Sequence, residues 1–284
     1  MRYYVVADVH GFYTELISAL TEKGFFEDNQ PHKLIICGDL LDRGKEAVKV
    51  QNFILDLMAR DEVILIKGNH EDLVLELLEH ADRYFEDKFS VYCSHHWHNG
   101  TIDSLIQLTG LSVNDALEDT AKFIEKARKM PFVDKIIPKM IDYYETANYI
   151  FVHGWIPCKF YRSDGKYVFV SYQSDWRQAD SERWKVARWA NGIKCACSRK
   201  ITEPYKTIVC GHYHSSYGHY KYGDAAEEFG EGADYSPYIA KGIIAIDACT
   251  ALSGKVNCIV LDDNFVIPVS YTHLRAHETL RQLV

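Results

Sequence analysis

Lys33-Leu34-Ile35-Ile36-Cys37-Gly38-Asp39-Leu40-Leu41-Asp42-Arg43-Gly44 is the stretch whose reading decides the fold. Its apolar, β-branched first half is a short buried strand that stops at a glycine. Its second half is a polar turn carrying two aspartates and an arginine, closed by another glycine. Residues 45–59 follow with Val48, Phe53, Ile54 and Leu57 roughly on one face, the pattern of an amphipathic helix.

The same arrangement recurs along the chain. Strand-like runs at 3–7, 33–37, 62–66, 148–152 and 206–210 each lead into a polar cluster. In order, the clusters are Asp8-Val9-His10-Gly11, Gly38 to Gly44, Gly68-Asn69-His70-Glu71, His153-Gly154 and Gly211-His212-Tyr213-His214. A helix-like stretch at 13–22 separates the first two strands. Strands alternating with helices define an α/β fold with a largely parallel sheet, in which ligands gather at the strands' carboxyl ends. All five clusters fall there.

Residues 71–147 read as mostly helical, with apolar spacing at Leu73, Leu77 and Leu78, a cap at Ser112 or Asn114, and Pro131 and Pro138 beyond. This is expected to be a helical insert between the third and fourth core strands, walling one side of the site. The span 176–199 also reads helical, with Trp184, Ala187 and Arg188 closely spaced. Late strands at 242–247 and 255–261 predict a second sheet packed on the first. One domain over residues 1–269 is expected. Residues 270–284, including Tyr271 to Thr279, resemble translated sequencing-adapter read-through and are expected to be a non-native tail, the alternative being a short amphipathic helix.

Composition narrows the classes. The chain has 284 residues, 47% hydrophobic and 25% charged, as in an ordinary globular protein. No apolar run approaches the roughly 20 residues of a membrane helix. Met1 to Val6 is strand-like rather than laid out as a signal peptide, so a cytoplasmic protein with eight reduced cysteines is expected. Cys195-Ala-Cys197 is too closely spaced for a zinc knuckle. The net charge of −8 argues against a nucleic-acid partner. Attraction of an anionic phosphate then rests on bound cations and a few arginines.

The clusters supply the ligand set of a site for two divalent ions. A carboxylate must bridge the ions, and each needs a few further ligands while leaving positions open. Asp8 and His10, two apart beyond a strand, can share one ion. Asp39 is the natural bridge, and Asn69, His153 and His212 complete the second ion. His70 points into the cleft as general acid for the leaving oxygen. Asp42 on its far ring nitrogen fixes the tautomer, and Arg43 offers a planar fork to phosphate oxygens. The nucleophile in this scheme is a hydroxide bridging the ions, attacking in line.

Asp-x-His-Gly, Gly-Asp-x-x-Asp-Arg-Gly, Gly-Asn-His-Glu, His-Gly and Gly-His, in this order, resemble the calcineurin-like metallophosphoesterases. More narrowly they resemble the PPP-type serine/threonine protein phosphatases and the similar symmetrical diadenosine tetraphosphate hydrolases. The resemblance spans residues 1 to about 220. It implies a central β-sandwich flanked by helices and ions such as manganese, iron or zinc. It gives Asp8, His10, Asp39, Asn69, His153 and His212 the ligand roles above, and His70, Asp42 and Arg43 theirs. It adds His214, whose counterpart in the broader metallophosphoesterases binds the first metal. It also implies a second substrate arginine, for which Arg188 is the choice and Arg177 and Arg183 compete. Two departures stand out: Ala7 replaces a glycine, and Trp155 follows His153-Gly154, where it is expected to reshape the mouth. Trp97-His98-Asn99-Gly100-Thr101 resembles a segment near the substrate in bacterial members.

Plainer readings compete. His95, His96 and His98 suit a solvated loop, with a substrate contact or adventitious metal site as the alternative. Trp184 and Trp189 suit the core, with base-stacking platforms as the alternative. The expected activity is hydrolysis of phosphate monoesters of the serine/threonine phosphoprotein type. The alternative is hydrolysis of dinucleoside polyphosphates, with Trp97 and Tyr213 as stacking candidates for a base. A non-catalytic metal-binding scaffold and a nuclease are weaker alternatives.

Overall fold

The structure is a computed structural model that describes residues 1–263; the tail at 270–284 and the end of the expected domain at 269 lie outside the described residues. The chain opens β1 (Arg2–Val6), α1 (Tyr13–Glu22), β2 (His32–Cys37), α2 (Ala47–Ala59) and β3 (Val63–Ile66), and the three strands pair in parallel. The insert is α3 (Asn69–Glu79), α4 (Ala81–Tyr84), α5 (Lys88–Cys93), α6 (His95–Asn99), α7 (Thr101–Thr109), α8 (Val113–Glu118) and α9 (Thr120–Arg128). Then come β4 (Tyr144–Glu145), β5 (Tyr149–Phe151), the hairpin β6 (Lys159–Ser163) and β7 (Lys166–Ser171), α10 (Ser181–Ala187) and β8 (Thr207–Cys210). The described chain closes with α11 (Ser215–Tyr222), β9 (Tyr238–Ala240), β10 (Ile243–Ala245), α12 (Thr250–Ser253) and β11 (Ile259–Asp262).

Two sheets face each other, in the orders β11-β1-β2-β3 and β4-β5-β8-β10-β9. Alternation along each strand builds three apolar layers, because successive side chains leave a strand on opposite faces. Tyr3, Val5, Ile35, Cys37, Phe151, Val209 and Ile244 fill the space between the sheets. Their neighbours Tyr4, Val6, Leu34 and Ile36 face α1, α2 and the insert. On the other side, Ile150, Ile208 and Ile243 face Trp176, Trp184 and Ala187. Strands buried on both faces are why these runs read as continuously apolar.

Several expectations change. The strand expected at 255–261 is Ile259–Asp262, and it pairs antiparallel with β1 at the edge of the first sheet rather than joining the second. The helical span 176–199 is interrupted: α10 ends at Ala187 and a separate π-helical turn covers Lys194–Ser198. Val48 is 42% exposed, so the buried face of α2 is Ala47, Val50, Ile54 and Leu57. His95, His96 and His98 lie on a helix, α6, not in a loop. Of the two expected caps, Ser112 does the work, accepting the Asp115 amide. Trp155 is fully buried in the layer with Trp176 and Trp184 and does not shape a mouth. Among the described residues, no helix is long and apolar enough to cross a membrane.

Candidate metal centre

Asp8, Asp39, Asn69, His153 and His212 each stand just beyond the carboxyl end of a strand, and the sandwich brings those ends together. Asp39 lies at the middle. Its Oδ2 is 3.7 Å from His10 Nε2, and its Oδ1 is 3.4 Å from His153 Nε2. His10 Nε2 is also 4.0 Å from Asp8 Oδ1. Two groups of donor atoms result, one with His10, Asp39 and His70, the other with Asp39, His153 and His212. One carboxylate shared between two histidine groups is the layout expected of a bridge.

The tautomers fit ion binding. His10 Nδ1 donates to Leu41 O at 3.0 Å, and His153 Nδ1 donates to Cys37 O at 2.8 Å. A carbonyl only accepts, so both Nδ1 atoms carry protons and both Nε2 lone pairs face the cluster. Burial drives the pKa of His10 well down and that of His153 down, and holds His212 at about 3. The bare Nε2 of His153 stands 2.7 Å from Asn69 Oδ1, an approach suited to two ligands of one cation. The acids show the same demand for positive charge. Burial, then Asp247 and Asp39, push Asp8 well above the carboxylate range. Burial likewise lifts Asp247 to about 6, whereas the surrounding histidines overcome burial at Asp39 and hold it low. The donor set therefore fits hard or borderline divalent ions.

His70 and Arg43 form the adjoining half of the cleft. His70 Nδ1 donates to Asp42 Oδ2 at 2.7 Å, and Arg43 Nη2 lies 3.3 Å from His70 Nε2. That guanidinium disfavours a cation on the same nitrogen, which separates His70 from the ligands despite its closeness to Asp39. Burial lowers the His70 pKa, but Asp39 and Asp42 outweigh it and the net shift is upward. The insert completes the support: Thr101 Oγ1 donates to Asp42 Oδ2 at 2.8 Å, and Ser104 Oγ accepts the Asp42 amide at 2.8 Å. Gly100, at φ 86°, lets the insert touch the Arg43 backbone, where a Cβ would collide.

Local strain marks the same place. Of the eleven described non-glycine residues at positive φ, six are Asp8, His10, Asp39, Asp42, Arg43 and His212. Such conformations persist only where the surroundings over-determine them. Glu71 is part of that constraint. Fully buried, it accepts the amides of Asp39 (3.1 Å), Leu40 (2.9 Å) and Gly68 (2.7 Å), and so ties the second cluster to the third. Glu71→Ala strands three donors at about 1–3 kcal/mol each. A loss of about 3 kcal/mol or more in urea unfolding is expected, with a smaller loss for Glu71→Gln, which keeps one acceptor oxygen.

Two expected contacts are not formed. His214 caps α11 instead of joining the ligands: its Nδ1 lies 3.2 Å from the Tyr217 amide and 3.0 Å from Ser216 Oγ, and its Nε2 faces Glu228 at 3.3 Å. Arg188 is 5% exposed and committed to Asp72 (2.7 Å) and Asp142 (2.6 Å), so its fork is not free for phosphate. The competing Arg177 is held by Glu145 and Glu203, and Arg183 by Gln173. Of these four arginines, only Arg43 stands exposed beside His70.

One residue was missed, and one expected in the core lies elsewhere. Asp247 follows β10 as Asp8 follows β1, and it sits close enough to raise the Asp8 pKa. The signal was present, since an aspartate ends the apolar run 242–247. Trp189 is 43% exposed with its ring 5.8 Å from that of His212, so it lines the cleft while Trp184 fills the core.

A two-sheet α/β sandwich with paired metal-ligand groups at its strand ends defines a metallophosphoesterase fold and site. The family model of the calcineurin-like phosphoesterases matches residues 1–235, and the chain belongs to that family. Among curated relatives, it is 33% identical over 76 residues to the asymmetrical bis(5'-nucleosyl)-tetraphosphatase PrpE of Bacillus velezensis, covering 25% of this chain and 30% of that protein. It is 39% identical over 71 residues to the symmetrical bis(5'-nucleosyl)-tetraphosphatase of Buchnera aphidicola subsp. Schizaphis graminum, covering 25% and 24%. It is 37% identical over 82 residues to serine/threonine-protein phosphatase 2 of Salmonella typhimurium, covering 29% and 35%. The matched stretches thus span about a third or less of these relatives. Among solved structures, a cold-active protein-tyrosine phosphatase of a psychrophilic Shewanella superposes with a TM-score of 0.49 at 18% identity, covering 93% of this chain and 76% of that one.

Proposed function

We propose that this protein hydrolyses phosphate monoesters of the serine/threonine phosphoprotein type with the aid of two divalent ions, manganese first among them and iron or zinc as alternatives. The observation that carries the reading is the division of Asp39 between two histidine groups, with the His70–Asp42 pair and Arg43 alongside. Asp8, His10 and Asp39 would hold one ion, and Asp39, Asn69, His153 and His212 the other. Two ions so held supply Lewis-acid stabilisation of the phosphoryl group and acidify water near neutral pH.

The chain's own residues do the rest. Arg43 presents its fork to the phosphate oxygens, and the exposed guanidinium supplies a local positive charge against the net charge of −8. His70, kept protonated on Nδ1 by Asp42, delivers the proton on Nε2 to the departing oxygen. Asp42 in turn is fixed by Thr101 and Ser104, so the insert sets the orientation of the acid.

Trp189 favours a second reading, hydrolysis of dinucleoside polyphosphates, because an exposed indole beside His212 is a platform for a base. Both readings are tested by manganese-dependent phosphate release from a phosphothreonine peptide, p-nitrophenyl phosphate and diadenosine tetraphosphate, with Trp189→Ala beside the wild type. Preference for the peptide, with Trp189→Ala near wild type, is the expected result. If the dinucleotide is preferred and Trp189→Ala raises its KM roughly tenfold, as loss of about 1–3 kcal/mol of stacking implies, the second reading stands instead. No manganese-dependent turnover on any of the three would sink both.

A further inference from the structure

A separate group of donors lies further along α3. Glu76 is seven residues beyond Asn69, about 10 Å along the helix axis at 1.5 Å per residue. Its Oε2 is 3.7 Å from His95 Nε2 on α6, and its Oε1 accepts from Tyr84 OH at 3.0 Å. The His95 and His96 rings lie 4.0 Å apart, and one donor atom each from Glu76, His95 and His96 falls within 4.8 Å of the other two.

His96 is the independent sign. It is 0% exposed, and neither ring nitrogen has a hydrogen-bond partner among the described residues. A buried polar group without a partner costs free energy that a neutral core side chain of that size would not. The Tyr84 ring packs edge-on against it at 4.4 Å, and the Tyr84 hydroxyl is donated to Glu76. With neither nitrogen engaged, an imidazole lone pair is left for a cation. His95 and Glu76 are part-exposed, which leaves an entry path and room for water as a further ligand.

We propose that Glu76, His95 and His96 form a third metal site, outside the paired centre, for an imidazole-preferring divalent ion such as zinc. Two imidazoles and a carboxylate plus water make a common tetrahedral zinc environment. Ligand atoms around tetrahedral zinc stand about 3.3 Å apart, given bonds near 2.0–2.1 Å, so the 3.7 Å between Glu76 and His95 closes with a small side-chain movement. An ion here clamps α3 to α6. The first runs from Asn69 and His70, and the second leads through Gly100 to Thr101, which holds Asp42. The site therefore braces the frame of the general acid without touching substrate.

The test is zinc binding by chelator competition, with bound metal counted, on wild type, Glu76→Gln, His95→Gln and His96→Leu. The expected result is one fewer tight equivalent in each variant, while manganese-dependent hydrolysis of p-nitrophenyl phosphate without zinc stays at the wild-type level in Glu76→Gln and His95→Gln. Zinc should also raise the melting temperature of the wild type more than that of these two surface variants. His96→Leu removes the unpartnered nitrogens, so it should melt no lower than the metal-free wild type. The same number of tight equivalents in all four proteins, the mark of adventitious uptake elsewhere, overturns the site.

Discussion

Asp39→Asn is expected to weaken both halves of the paired centre at once, which no other single ligand substitution should do. The reason is geometric: each Asp39 oxygen serves a different histidine group, at 3.7 Å to His10 and 3.4 Å to His153. An amide keeps the shape but loses the charge and one acceptor oxygen. His70 N also donates to Asp39 Oδ1 at 3.0 Å, so a flipped amide would break the start of α3 as well. Substitutions outside the ligand shell typically cost 10–100-fold in metal affinity; a bridge should cost at least about 100-fold for both ions. Manganese titration by calorimetry reads this directly, as a loss of both binding events. His153→Asn, by contrast, should weaken one event and leave the other near wild type. Loss of a single event in Asp39→Asn would refute the bridging role.

The same titration carries a charge signature. Asp8 is raised well above the carboxylate range and Asp247 to about 6, so the metal-free protein retains protons on these acids near pH 6. Cation binding favours the ionised form and should release them. The release appears as a dependence of binding enthalpy on the buffer's ionisation enthalpy.

The clustering of the candidate ligands was legible because two local rules coincide there. Each strand has a two-residue period that hides its side chains in two layers, and the first polar residue beyond the strand can only project from its end. Asp8, Asp39, His153 and His212 satisfy this, whereas Asn69 follows Lys67 and Gly68 and opens α3. The rule covers Asp247 equally, but as the last residue of its run it reads as part of the strand. Glu71 was visible only as a motif letter, since its task is to accept backbone amides from a loop about 30 residues away. Arg188 and His214 show the reverse error. At Arg188, helical spacing could not reveal partners 116 and 46 residues distant. At His214, the chain enters a helix immediately, so its ring is used as a cap. Trp189 falls two residues beyond the end of α10, and the helical phase that buries Trp184 no longer applies to it. Backbone strain was the least legible feature. Six motif residues hold positive φ although none is glycine, and only the packed loops around them impose it.

The second large effect is expected at His70. His70→Asn should lower kcat by about 10²–10⁴-fold, the usual contribution of a positioned acid, with manganese affinity little changed because Asn69 and Asp39 remain. The pH profile separates this role from mere support. A general acid must be protonated, so kcat falls as pH rises through its pKa. Burial alone would bring that fall to lower pH, but Asp39 and Asp42 together raise the His70 pKa above the ordinary imidazole value. Bound cations oppose that rise, so the role is read from how the limb shifts between wild type and variant rather than from where it lies. Asp42→Asn removes the 2.7 Å charge-assisted bond, so the limb should move to lower pH and kcat should fall. In His70→Asn that limb should vanish while any acidic limb set by the metal ligands persists. The contrast is sharpest with leaving groups of different basicity. A p-nitrophenolate needs little protonation, whereas a serine or threonine alkoxide needs it fully, so His70→Asn should be far more damaging on the phosphopeptide. Equal damage on both substrates would mean that His70 holds the site together rather than moving the proton.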